Sequence, residues 1–394
     1  MNKTAFDTEK IIYLDNAATT RTDSEAAELM TYMACEMYAN PSSAHSFGFE
    51  AEKCVKVAKE KIISALGYRS GEGTLIFTSG GTEADNMAIR GAVKTLWRKG
   101  KHIVISDSEH PAVESTASEL EKTGYTVSRI PTKGGRLDME FARTALTPDT
   151  VLVSCMAVNN ETGAVYDVAA LRKLASQLCP DAYFHTDAVQ AFTKVRNLAA
   201  LGVDMISISG HKIHAPKGVG ALFVKKGVRI PAMLTGGGQE GGLRSGTEAV
   251  PAICAFGLAA EKAMKEFDAE KQHIGELNSY LRNRLADNSD IIINNGTSGV
   301  LPHILSIAVP GIRSEIMLRF LSERGIFVSA GSACSSKSSD NRILAAYGLE
   351  RSVADSTLRI SFSKYNTAEQ LDKFVLNLNE GINSLISVKR VKHN

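Results

Sequence analysis

The chain has 394 residues, 44% hydrophobic and 22% charged, with a formal net charge of +2. That composition belongs to a globular protein with room for roughly two or three domains, and it excludes a coiled coil or a disordered tail. A charge so near zero supplies no field to hold the chain on nucleic acid or an anionic membrane, so small molecules and proteins are the expected partners.

The first ten residues, MNKTAFDTEK, lack the apolar core of a secretory signal, and the next apolar run, Ile11 to Leu14, stops at Asp15. No uninterrupted apolar stretch approaches the roughly 20 residues that a bilayer crossing needs. A cytoplasmic protein is expected. The six cysteines, at 35, 54, 155, 179, 254 and 334, show neither CxxC nor Cys/His metal-ligand spacing. Reduced thiols and no metal site are the expectation.

From about residue 60 to 225, short apolar runs alternate with helix-length segments, the pattern of an α/β domain with a largely parallel sheet. Predicted strands are Thr74–Thr78, His102–Ser106, Thr126–Ile130, Val151–Val158, Ala182–Thr186, Met205–Ser209 and Gly220–Val224. Several are apolar almost throughout, as strands covered on both faces are. Val168–Leu178 reads as one of the intervening helices, and a long helical stretch follows Pro251. Ile291–Ile293, Ile304–Val309, a helix over Ser314–Arg324, Phe327–Ser329, Leu358–Phe362 and a final helix make a smaller α+β unit. The expected domains are 15–260, a large unit with a mainly parallel seven-stranded sheet, and 261–394 together with 1–14.

Ligands of open α/β sheets bind beyond the carboxyl ends of the strands, so the residues just after each strand are the candidates. Gly80-Gly81-Thr82-Glu83 follows the first and opens a helix, which suits a phosphate and equally suits a helix start with Thr82 as N-cap. After the second strand, Pro111 opens a helix and sets His110 at the corner, where it suits stacking on a ring or shuttling a proton and equally suits a hydrogen-bonded loop histidine. Asn159-Asn160-Glu161 and His185-Thr186-Asp187 end two more strands, and Asp187 taken alone reads as a helix cap.

Lys212 closes the apolar strand MISIS within Gly210-His211-Lys212. Partial desolvation weakens a lysine's hold on its proton, which suits Schiff-base chemistry, whereas most lysines are solvated surface groups. The pairing of Lys212 with Asp187 decides between these: an amine for an aldehyde and a carboxylate for a pyridine nitrogen are what pyridoxal phosphate requires.

The ordered set IIYLDNAATT, NPSSAHSFG, FTSGGTEADN, SEHPAV, VNNETG, HTDAVQ, SGHKIHAPKGVGAL, GGGQEGGLRSGT and SAGSACSS resembles that of the iron–sulfur-assembly cysteine desulfurases. These are class V aminotransferase-group enzymes of fold type I that depend on pyridoxal phosphate. The resemblance implies that Lys212 bonds the cofactor aldehyde, Asp187 pairs with its ring nitrogen and His110 stacks on the ring. It implies that Asn160 and Gln190 contact the cofactor, and that Gly81, Thr82, Ser209 and His211 hold its phosphate. Thr247 matches a residue that reaches the phosphate of a neighbouring subunit, which implies a homodimer. Arg359 matches the arginine that holds the carboxylate of L-cysteine, and Asn40 falls at the substrate end. Cys334 matches the persulfide cysteine, and sulfur-acceptor proteins such as an iron–sulfur scaffold or a tRNA-thiolating enzyme are the implied partners. Glu240-Gly241-Gly242 departs from the family, which more often has a basic residue near Gly241.

Nine of the eleven residues from Ser329 to Ser339 are Ser, Ala or Gly, the composition of a mobile segment, which suits a nucleophile that must visit both cofactor and acceptor. The other five cysteines read as small buried or half-buried packing residues. A selenocysteine lyase or another class V enzyme shares the same chemistry. A non-catalytic docking platform is the reading from another class; it has no need of Lys212, Asp187, Arg359 and Cys334 together.

Overall fold

The computed structural model describes residues 11–330 and 341–392. The chain enters through β1 (Ile12–Tyr13) and two helices, α1 (Ser24–Cys35) and α2 (Ser46–Leu66). Neither helix was expected, although Asp23 caps α1 by accepting from Glu25 N at 3.0 Å, and Gly67 ends α2 in the left-handed conformation at φ 93°.

The alternating region then runs β2 (Gly73–Thr78), α3 (Gly81–Thr95), β3 (His102–Ser106), α4 (Pro111–Lys122), β4 (Thr126–Ile130) and α5 (Met139–Ala145). It continues through β5 (Thr150–Ser154), α6 (Val168–Leu178), β6 (Tyr183–Asp187), β7 (Met205–Ser209) and β8 (Gly220–Lys225). The strands make a seven-stranded sheet in the order β2-β8-β7-β6-β5-β3-β4, in which β8 alone runs against its neighbours.

Side chains alternate across this sheet, and each face has its own core. Leu75, Phe77, Val104, Val153, Phe184, Ile206, Ile208 and Phe223 pack into one buried cluster, while Ile76, Ile103, Ile105, Leu152, Met205 and Leu222 pack with α3 and α4 into another. Helices on both faces explain why the strands are apolar throughout. Where the second face departs from that rule it turns polar: Ser154, His185, Asp187, Ser207 and Ser209 occupy it at the carboxyl ends of β5, β6 and β7, and all are buried.

The predicted strand Val151–Val158 is regular only to Ser154. Beyond it the backbone still bonds β6, through Cys155 N to His185 O and Ala157 N to Asp187 O, before Val158 bridges to Val165. That kinked continuation brings Asn159 and Asn160 over the strand ends.

Helices α7 (Val250–Lys265) and α8 (Phe267–Ala286) carry the chain onward. The remaining elements are β9 (Ile292–Ile293), β10 (Ile304–Ala308), α9 (Ser314–Ser322), β11 (Ile326–Phe327), β12 (Ser329–Ala330), α10 (Arg342–Tyr347), α11 (Arg351–Ala354), β13 (Thr357–Ser361) and α12 (Ala368–Lys392). The expected strand Phe327–Ser329 is split: β11 pairs in parallel with β1, whereas β12 pairs antiparallel with β13 in the sheet β12-β13-β10-β9. A separate buried cluster supports this part, including Leu14, Ile274, Leu281, Leu305, Ile307, Leu358, Ile360 and Phe374. Its place in the fold sets Arg359 of β13 beside the first strand, since Asp15 bridges to Ser361. Among the described residues no helix is long and apolar enough to cross a membrane.

Candidate active site

The sequence IIYLDNAATT supplies one wall of the site through its backbone. Lys212 Nζ donates to Ala18 O at 2.8 Å and also to Ala17 O, and Gln190 Nε2 donates to Ala17 O at 2.8 Å. Thr20 Oγ1 donates to His211 O at 2.9 Å, and His211 Nδ1 lies 3.2 Å from Thr19 Oγ1. The short helical turn Gly210–Lys212 at the end of β7 is thereby fixed against residues 17–20. Burial first, then the positive charges of Arg359 and Lys194, push the Lys212 amine down to about 7, against the pull of Asp187 and Asp15. A lysine so placed is substantially neutral near neutral pH, as a nucleophile or base must be.

Asp187 is the last residue of β6, and its Oδ1 accepts from Val189 N at 2.8 Å. Burial raises its proton affinity, opposed by His110 and Lys212. Two further buried carboxyls stand nearby: Asp85 of α3, 3.5 Å from His185 Nε2, and Glu109, pushed up by burial to about 8. A buried carboxyl in that company gains most from a cationic partner.

His110 is the N-cap of α4, and its Nδ1 accepts from Ala112 N at 3.1 Å. That bond assigns the ring proton to Nε2, and burial lowers the imidazole's affinity for a second one. His110 is thus a hydrogen-bonded histidine at the corner that opens α4, with Asp187 and Lys212 near enough to act on its proton affinity.

The start of α3 does not use Thr82 as its cap. Gly80, not Thr82, is the N-cap, and it supplies no side-chain bond to the helix N–H groups. Those donors, with Gly81 and the exposed Thr82 beside them, suit an anion. A Cβ on Gly220 would lie 2.7 Å from the Gly80 backbone, so the glycine of β8 is what lets this loop settle at the strand ends. Beside it, Ser209 Oγ is buried with no hydrogen-bond partner among the described residues, and so is Asn160 Oδ1. Orphaned buried oxygens are uncommon, and two of them at one strand-end crevice suit a polar ligand.

The turn that presents Asn160 is held by its neighbour. Asn159 Oδ1 accepts from Glu161 N, Thr162 N and Thr162 Oγ1 at 2.9–3.1 Å, and its Nδ2 donates to Ser108 O. Arg359 reaches this turn from β13: Nη1 donates to Asn160 O at 2.9 Å and Glu161 Oε1 at 3.0 Å, and Nη2 to Asp15 Oδ1 at 3.0 Å. Asp15 and Glu161 were not among the residues expected to hold a role.

Other expected residues sit further out. Asn40 is exposed and closes a turn by accepting from Ser42 N at 2.9 Å. Thr247 is exposed, on a segment tied to α3 by Arg244 Nε to Glu83 Oε1 at 2.8 Å. The departure at Glu240 is internally compensated, since its buried carboxylate pairs with Lys59 of α2 at 2.6 Å. Cys334 lies outside the described residues. The chain on either side of it is anchored at the site: Ser329 stands in register with Arg359, and Arg342 donates to the backbone carbonyls of Asp107 and Glu109, next to His110. Cys155, Cys179 and Cys254 are buried and Cys54 half-buried, as expected, but Cys35 is exposed, because it falls on the outer side of the last turn of α1.

Comparison with known proteins agrees with this geometry. Residues 12–374 match the family Aminotransferase class-V. A "Cysteine desulfurase IscS" of Dictyoglomus turgidum is 40% identical over 365 residues, 92% of each chain. "Cysteine desulfurase 1" of Trichormus variabilis is 40% identical over 369 residues, covering 93% of this chain and 91% of its own. A solved "NIFS-LIKE PROTEIN" superposes with a TM-score of 0.89 at 36% identity, over 94% of this chain and 98% of its own. A structure titled "SspA in complex with cysteine" gives 0.78 at 31% identity, over 90% and 100%.

The seven-stranded sheet and its strand-end lysine and carboxylate define a fold type I enzyme of the pyridoxal phosphate class. The chain belongs to the aminotransferase class V family and, within it, to the cysteine desulfurases. The residues present fit the cofactor: an uncapped helix start and the orphaned Ser209 hydroxyl for a phosphate, a buried Asp187 for a ring cation, and a half-buried amine at Lys212 whose proton affinity is lowered to about 7.

Proposed function

We propose that the protein binds pyridoxal phosphate and converts L-cysteine to L-alanine, passing the sulfur to Cys334 as a persulfide. The observation that carries this reading is the half-buried Lys212 amine, its proton affinity lowered to about 7, in one cleft with Asp187, His110 and Arg359. When bound, the cofactor supplies an aldehyde for an amine and a ring that accepts electrons from the substrate's Cα.

The chain's own groups do the rest. Gly81, Thr82, Ser209 and His211 hold the phosphate, with Thr247 reaching across a homodimer, which its exposure permits. Asp187 keeps a proton on the ring nitrogen, His110 covers the ring, and Asn160 and Gln190 approach its edge. Gln190 already bonds Ala17 O, so it can also align the wall that holds Lys212. Arg359 takes the substrate carboxylate, and Lys212 removes the Cα proton as a general base. Cys334, as thiolate, takes the substrate sulfur; the balance is L-cysteine plus the Cys334 thiol giving L-alanine plus the Cys334 persulfide. Asn40 lies at the outer, substrate end. The sulfur then passes to an acceptor protein, for iron–sulfur assembly or tRNA thiolation. On this reading the chain divides into 15–260 and 261–394 with 1–14, and the cleft belongs between the large unit and the one that carries Arg359 and Cys334.

The test is alanine release from L-cysteine by the loaded protein and by Lys212→Ala. Turnover by the wild type alone supports the reading; equal turnover by both overturns Lys212 as the base.

A further inference from the structure

Among the described residues, the guanidinium proposed to receive the substrate carboxylate already pairs with two carboxylates. Arg359 Nη1 donates to Glu161 Oε1 and Nη2 to Asp15 Oδ1, each at 3.0 Å, and the arginine side chain is only 6% exposed. With both carboxylates ionised, Arg359 and these two partners carry one positive and two negative charges, with the Lys212 amine near enough to act on both carboxylates. A substrate carboxylate would add a third negative charge around one guanidinium, in a place where solvent screens little. Loss of charge by one resident carboxylate relieves that crowding.

The two are not equivalent. Asp15 keeps 21% of its side chain exposed, whereas Glu161 has 12%, with Oε2 buried and without a hydrogen-bond partner among the described residues. A buried carboxyl oxygen with no donor facing it is where a proton stabilises most. Around Glu161 stand Arg359 from β13, Lys212 from the turn after β7, Asp15 from the entry strand region and the Asn160 amide, whose Nδ2 donates to Oε1 at 3.0 Å. Burial is the dominant influence and Asp15 adds to it, while Arg359 and Lys212 oppose; the carboxyl is pushed up to about 7.

We propose that Glu161 is a placeholder for the substrate: it occupies Arg359 in the resting protein and yields it by taking up a proton as an incoming carboxylate arrives. The proposal rests on the assignment of Arg359 to the substrate carboxylate. The step is balanced: one proton from solvent converts the Glu161 carboxylate to the acid, the Nη1 ion pair opens, and the ligand carboxylate closes a new one. Glu161 is thus a positioning residue that admits one carboxylate at a time and makes carboxylate binding depend on pH.

The test uses the loaded protein and 3-mercaptopropionate, which carries the substrate's thiol and carboxylate but no amine. Titration calorimetry at pH 8 in buffers of different ionisation enthalpy should show uptake of about one proton per ligand bound, and Kd should weaken about tenfold per pH unit above neutrality. Glu161→Gln should bind with no uptake and a flat pH profile. A wild-type protein that binds without uptake and without pH dependence overturns the proposal, whether or not the variant folds, and so does uptake that persists in Glu161→Gln. Arg359→Gln separates the two readings: it should lose binding, and binding equal to wild type, or binding by neither, removes the assignment of Arg359 itself.

Discussion

Replacing Lys212 by methionine in the cofactor-free protein removes a half-buried amine at nearly constant side-chain length. The amine's proton affinity falls from an ordinary 10.5 to about 7 on folding, through burial first and then Arg359 and Lys194. Between those values the unfolded chain holds a proton that the folded chain has released, so the wild-type protein gains stability as pH rises through this window. At about 1.4 kcal/mol per pH unit of difference, the amine costs about 4 kcal/mol at pH 7 and about 2 kcal/mol at pH 9. The hydrogen bonds from Lys212 to Ala17 O and Ala18 O are lost in the variant at every pH, so they shift the comparison by a constant and leave its slope intact. Urea unfolding of both proteins, followed by circular dichroism, should show Lys212→Met losing about 2 kcal/mol relative to wild type between pH 7 and pH 9. A difference independent of pH would refute the reasoning, because it would mean that the amine keeps its ordinary proton affinity in the fold.

Arg359→Lys keeps the charge but loses the planar fork that now spans Asp15 and Glu161; KM for L-cysteine should rise at least about tenfold, in steady-state assays of alanine release. Lys59→Met leaves the Glu240 carboxylate, 3% exposed, without its cation and should cost about 3 kcal/mol in chemical unfolding, with most of the loss recovered in the double variant Lys59→Met/Glu240→Met.

Much of the fold was readable because the large sheet obeys a simple rule. A strand covered on both faces is apolar at every position, and HIVIS and MISIS carry that signature with little ambiguity. The helices of residues 24–35 and 46–66 were not readable. Their apolar faces are Ala-rich and interrupted by charge, and they are fixed by packing on α7, more than 180 residues further along the chain. The split at Val328 has the same origin: Ile326–Phe327 and Ser329–Ala330 are too short for periodicity to show that they serve two sheets.

In the site, position was more legible than pairing. Residues that end strands fall where the rule for open sheets puts them, so Lys212, Asp187 and His110 converge. Asp15 and Glu161 stood within noted motifs, yet their value depends on Arg359, distant in sequence from both, and nothing local to either announces that contact. The structural work of Asn159 was hidden for the opposite reason: three of its five side-chain bonds are to its own turn, which a sequence reads only as polar loop.

The most direct test is to incubate the pyridoxal phosphate-loaded protein with L-cysteine, measure alanine, and locate any added sulfur by mass spectrometry under non-reducing conditions. The account predicts alanine in step with sulfur gained, and one extra sulfur atom on the peptide containing Cys334. Alanine formed with the sulfur on another cysteine, such as the exposed Cys35, or no alanine at all, would contradict it.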